Sequence, residues 1–211
     1  MSTETSNSTE TSNSTATSNS TASTKAGLTE TPAQTIGPFY GFALPFEKGG
    51  ELVPPGSPDS VALHGTVLDG QGDPIPDALL EIWQADAKGN VVAETGSLVR
   101  DGRTFTGWGR VAVGNTGKYV FTTVNPGPTE PGKAPFIAVT VLARGLLNRL
   151  FTRVYLPEDT EALANDPVLS ALEPARRKTL VAERLADGSL HWDIRLQGED
   201  ETVFLDFHGQ A

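Results

Sequence analysis

Apolar residues recur at every second position in short runs along this chain, and turn residues cut the runs apart. The last run is the cleanest. In LHWDIRLQ, Leu190, Trp192, Ile194 and Leu196 fall on one face and His191, Asp193, Arg195 and Gln197 on the other. That period of two predicts a half-buried antiparallel strand, paired with Val203–Phe207 across the turn at Gln197–Glu201. Further strands are predicted at Val61–Leu68, Ala78–Gln84, Lys118–Thr123, Phe136–Ala143 and Phe151–Leu156, bounded by the turns DGQGDPIPD, AKGN and NPGP. One helical interlude breaks the pattern. Asp166 caps a helix opening at Pro167, and Glu173-Pro174 stops that helix and starts another over ARRKTLVAER. The fold predicted is all-β, an antiparallel β-sandwich with a small helical insert.

The first 27 residues have a different character. They repeat a hexad, TETSNS, TETSNS, TATSNS, with no large apolar residue after Met1. Nothing in them offsets the entropy of ordering a backbone, so residues 1–27 read as a disordered N-terminal tail and 28–211 as the folded domain. The Asn-Ser-Thr triplets at Asn7, Asn13 and Asn19 fit the glycosylation acceptor pattern but read as a by-product of the repeat. Thr31–Tyr40, TPAQTIGPFY, is bracketed by prolines and reads as an extended arm. Its glycine beside a proline fixes the chain yet leaves one backbone position bare, where a ligand or a partner chain can approach closely.

Composition narrows the function. With no cysteine, disulfides and thiolate metal sites are excluded. A formal charge of -10 repels phosphate backbones and argues against a nucleic-acid partner. An anionic small molecule remains an acceptable substrate where a local arginine reverses the field. No apolar run approaches the roughly 18 residues of a membrane span, and no basic-then-apolar leader opens the chain. No membrane partner and a cytoplasmic location are therefore expected.

Candidate chemistry is sparse. His64 and His191 lie on polar strand faces, and His208 is close to the end of the chain; no two share one element at ligand spacing. They read as solvated residues. Tyr119 and Tyr155 read as strand residues packing an aromatic body. Arg144 in LARGL follows an apolar run and precedes a glycine, so a guanidinium at a strand end is placed to pair bidentately with a carboxylate, although a surface role fits equally well. Arg153, Arg176, Arg177 and Lys178 read as solvated faces.

Several segments together carry a resemblance. They are TPAQTIGPFY in the arm, HGTVLDGQGDPIPDALLEIWQADAKG, GKYVFTTVNPGP, AVTVLARGLLNRLFTRVYLP and the closing ETVFLDF. The chain resembles the intradiol ring-cleavage dioxygenases over nearly everything from Thr31 to Phe207. These non-haem ferric enzymes open catechols between the two hydroxyls. Within that family, the arm followed by FIAVTVLARGLL resembles the non-catalytic chain of a two-chain enzyme.

The resemblance implies where iron would be held and that it is not held here. Catalytic members bind Fe(III) with two tyrosinates and a His-x-His pair. The corresponding positions are Val91, Thr129, Phe136 and Ala138, none of which supplies a phenolate or an imidazole. It therefore implies a homologous beta-type partner that carries the Fe(III), with this chain completing the active site. The reaction implied is insertion of O2 into protocatechuate, giving 3-carboxy-cis,cis-muconate. Carried over by motif, the substrate-pocket residues are Thr35, Gly37, Pro38, Phe39 and Arg144. A tyrosine is common in relatives at the Phe39 position, so the resemblance implies a hydroxyl lost from the pocket unless Tyr40 supplies it. Two alternatives stand beside this reading: a self-sufficient intradiol dioxygenase with a metal site rebuilt from the histidines and tyrosines, and a non-catalytic β-sandwich binding module.

Overall fold

A computed structural model describes residues 35, 37, 39–92, 98 and 100–207. The tail expected at 1–27, most of the arm and His208 lie outside the described residues. The elements are α1 (Tyr40–Ala43), β1 (Ser60–Leu68), β2 (Leu79–Gln84), β3 (Trp108–Ala112), β4 (Lys118–Val124), β5 (Phe136–Leu142) and β6 (Leu150–Tyr155). There follow α2 (Thr160–Asn165), α3 (Pro167–Ser170), α4 (Pro174–Lys178), β7 (Glu183–Arg184), β8 (Leu190–His191) and β9 (Ile194–Arg195). Among the described residues, no helix is long and apolar enough to cross a membrane.

Two sheets face each other. One runs in the order β4-β1-β8-β7, with β9 also pairing β1, and the other in the order β3-β2-β5-β6. Strand alternation builds the core between them. Every second residue of β1 is buried, and Leu63, Val67, Phe121, Leu80, Ile82, Ile137, Val139 and Val141 form the shared interior. A smaller cluster of Tyr155, Ala162, Leu169, Leu180 and Val203 seats the helical insert against the end of β6.

The predicted sandwich and its insert are present. Its antiparallel character holds for the β1–β4, β2–β3, β2–β5, β5–β6 and β7–β8 pairs, whereas β8 and β9 run parallel to β1. LHWDIRLQ is thus two short strands rather than one antiparallel strand. Its alternation is correct, with Leu190, Trp192 and Ile194 buried. The ladder is interrupted between them: the Asp193 side chain, in place of a backbone carbonyl, accepts the Thr66 N–H at 2.7 Å, while Trp192 still donates its N–H to the His64 carbonyl at 2.9 Å. Val203–Phe207 forms no strand with it. Leu205 bridges Phe151 instead, leaving Thr202 alone to bond Arg195.

Other differences are local. The arm ends in the helical turn α1 rather than staying extended to Tyr40. α2, capped by the Asp159 carboxylate on the Ala162 N–H, and β3 are additional elements. α4 stops at Lys178, short of the expected run to Arg184. Arg176 and Arg177 are not merely solvated: they donate to the carbonyls of Glu201 and Leu172, at 2.6 and 2.7 Å, tying the insert to its surroundings.

Candidate functional site

The LLEIWQADAKGN segment builds one end of the sandwich. Gln84 is buried at the end of β2, where its Nε2 donates to the Val124 carbonyl at 2.8 Å and its Oε1 accepts from Thr123 Oγ1 at 2.8 Å. It therefore bolts the two sheets together. Asp86 then accepts from the Lys88 and Asn90 backbone N–H groups, each at 2.8 Å, and closes the turn. Asn90 Nδ2 leads the groups that hold the Asp86 carboxyl below the usual carboxylate range.

This turn dovetails with the Pro-Gly-Pro loop. Gly89, at φ +86°, leaves no room for a side chain: a Cβ there would fall 2.0 Å from the Pro128 carbonyl oxygen. Gly127 in turn donates its N–H to the Asp86 carbonyl at 2.8 Å. Val91 bridges Ala85, and Gln84 is in register with Ile137. Val91, Thr129, Phe136 and Ala138 are thereby gathered at this end of the molecule.

The donors at these positions do not fit an iron ion. Valine, phenylalanine and alanine have no lone pair to give, and one exposed threonine is a poor ligand. Beside them, the Arg153 guanidinium lies 4.1 Å from the centre of the Phe136 ring, so a cation already occupies this face. Arg153 is thus a stacked residue rather than a solvated one, and it also donates to the Tyr155 hydroxyl at 3.4 Å.

The tyrosines are committed elsewhere. Tyr119 donates to the Trp192 carbonyl at 2.5 Å, and burial holds its phenol well above the ordinary value. Tyr155 donates to Asp166 Oδ1 at 3.0 Å, with burial the main cause of a pKa pushed up to about 12. His64 and His191 do meet, on neighbouring strands, with ring centres 5.4 Å apart. Sequence separation concealed this. Their neighbours are Ser189 and Asp193, and they sit on the outer face of β1 and β8, while Tyr119 points into the core. Among the described residues, no group of three or more His, Asp or Glu is placed to hold a metal.

Of the pocket residues carried over by motif, Arg144 lies at the opposite end of β2 and β5, beside Tyr40 at the root of the arm. Thr35 accepts the Gly37 N–H at 3.3 Å through its hydroxyl, and Gly37 takes φ +74°. Pro38 lies outside the described residues. Phe39 is 77% exposed. Tyr40 turns inward, its hydroxyl 3.5 Å from Asp77, and burial first, with that carboxylate second, raises its pKa to about 12. Arg144 projects just beyond β5 and pairs with the same Asp77 carboxylate through Nε and Nη2. That hydrogen bond is the first cause of a guanidinium pKa raised above its ordinary value. The structure thus joins the arm to Arg144 through Asp77, a residue sequence reasoning passed over. Its signal was faint: an aspartate closing the DPIPD turn, with its partner 67 residues away.

These features are those of a dioxygenase scaffold, and comparison places the chain. It belongs to the dioxygenase family, whose model, described as Dioxygenase, matches residues 36–198. The chain is similar to the protocatechuate 3,4-dioxygenase alpha chain of Burkholderia cepacia, at 40% identity over 85% of this chain and 98% of that one. It is also similar to the protocatechuate 3,4-dioxygenase beta chain of the same organism, at 30% identity over 68% of this chain and 67% of that one. Among solved structures, it resembles the dioxygenase domain of a dioxygenase–carbohydrate-binding protein fusion from Streptomyces sp. SirexAA-E. There the identity is 25%, the TM-score 0.53, and coverage 79% of this chain and 97% of that one. The intradiol family uses iron.

Proposed function

We propose that this chain is the alpha-type, non-iron-binding subunit of a protocatechuate 3,4-dioxygenase. It completes the active site of a homologous, iron-bearing beta-type subunit that cleaves protocatechuate with O2 to 3-carboxy-cis,cis-muconate. One observation carries the reading. Arg144 and the root of the arm at Tyr40 sit at one end of β2 and β5, and the positions corresponding to the family's ligands sit at the other. Arg144 lies six positions beyond Ala138 along β5 and its extension, roughly 20 Å at about 3.3 Å per residue. Arg144 therefore cannot line a pocket around those positions of its own chain. It is placed to line a pocket that another chain brings to it.

In this reading the partner holds the iron, and this chain contributes walls and charge. Gly37 lets the arm pass close to a ring, while Arg144 offers a substrate carboxylate a local guanidinium on a chain whose net charge is -10. A rebuilt metal site within this chain has little to draw on, since Tyr119 and Tyr155 are buried and hydrogen-bonded as neutral phenols. A cytoplasmic site of action accords with this reading.

Co-expression with a homologue carrying both tyrosines and the His-x-His pair tests the proposal. The expected result is stable co-purification, with ring cleavage only when both chains are present. A monodisperse chain indifferent to that homologue would favour the binding module instead.

A further inference from the structure

We infer that Asp77 is the positioning residue for the substrate-facing arginine: its carboxylate holds one edge of the Arg144 guanidinium, with the Tyr40 hydroxyl 3.5 Å away at the root of the arm. The inference rests on the subunit reading above and specifies how its pocket wall is held.

The guanidinium has two edges that can each take a carboxylate bidentately. Asp77 uses the side edge, with Nε 3.2 Å from Oδ2 and 3.3 Å from Oδ1, and Nη2 bonded to Oδ2. The end edge, Nη1 with the second hydrogen of Nη2, has no hydrogen-bond partner among the described residues. Arg144 is 60% exposed at its side chain, so that edge is open to a ligand. Without a partner on the side edge, such an exposed arginine would sample several rotamers, and a substrate carboxylate would have to order it on binding.

Asp77 is itself firmly held. It occupies the left-handed region at φ +58°, which aspartate tolerates better than most residues, and its N–H donates to the Gly114 carbonyl at 3.1 Å. The helical turn α1 packs on it: a Cβ at Gly41 would come within 3.6 Å of the Asp77 carbonyl oxygen. Tyr40, buried beside it, spans 37 residues of sequence to reach the same carboxylate. One side chain therefore fixes the direction of the guanidinium beside the root of the arm.

The test uses the chain assembled with its iron-bearing partner. Asp77→Asn keeps the shape and the positive φ while removing the charge, and Asp77→Gly removes the side chain at a backbone conformation glycine accepts. Protocatechuate turnover is compared with inhibition by catechol, which has the ring hydroxyls but no carboxylate. Both variants should raise KM for protocatechuate, roughly three- to tenfold, the scale of one lost hydrogen bond. kcat and the inhibition constant for catechol should stay within about twofold, a margin well below that scale. An unchanged KM in Asp77→Gly, or an equal loss for both molecules, would overturn the positioning role. Arg144→Ala in the same complex separates the two possible failures. A raised KM there, with none in Asp77→Gly, removes only the positioning role; no change in either also removes Arg144 from the pocket.

Discussion

Gln84 and Asp86 explain why the Trp-Gln-Ala-Asp corner keeps its form in a chain whose neighbouring positions lack metal-binding side chains. Both are architectural: the amide joins the sheets, and the carboxylate closes the turn that abuts the Pro-Gly-Pro loop. Replacing Gln84 by leucine leaves the Val124 carbonyl and the Thr123 hydroxyl without their partner in the interior. The expected loss is about 2–3 kcal/mol, read as a lower denaturant midpoint with unchanged slope. A midpoint within error of the parent would mean that the two groups find other partners. The missing ligands were legible in the sequence because they are a matter of residue type alone. Asp77 was not, because its importance lies in a pair formed across the fold with Arg144.

At the scale of elements, alternation located most strands to within a residue or two, since a buried face imposes its period wherever it occurs. What alternation cannot give is direction. Leu190, Trp192 and Ile194 point inward whichever way β8 and β9 run, and only the bonds to β1 make them parallel. The helical insert was legible at its cap. Asp166 accepts from the Val168 and Leu169 N–H groups and also receives the Tyr155 hydroxyl, so it serves helix and sheet at once. Asp166→Ala should therefore cost more than an ordinary cap, about 2–4 kcal/mol. Hydrogen exchange over residues 160–180 reports the loss; protection equal to the parent would show the cap to be dispensable.

For the whole molecule, acid stability follows from how its turns are closed. Asp69, Asp86, Asp101 and Asp187 each accept hydrogen bonds from nearby N–H or O–H groups and are held below the ordinary carboxylate value. For Asp101, the Thr104 N–H leads the causes and the pKa reaches about 2. Folded-state values below unfolded ones mean that the unfolded chain binds more protons as pH drops. The stabilisation is present above about pH 4 and is lost progressively toward about pH 2. A thermal midpoint that stays flat across that range would contradict it. The subunit role was legible from the sequence as a resemblance; the separation of Arg144 from Val91, Thr129, Phe136 and Ala138 belongs to strand register, which only the fold supplies.

The most direct measurement is made on the purified chain alone, followed by addition of the iron-bearing partner. Iron content, visible phenolate-to-iron absorption and protocatechuate-dependent O2 uptake are recorded at each stage. The expected result is a colourless, inactive chain that yields absorption and O2 uptake only with the partner. A ferric chromophore with ring-cleaving activity in the isolated chain would contradict the account.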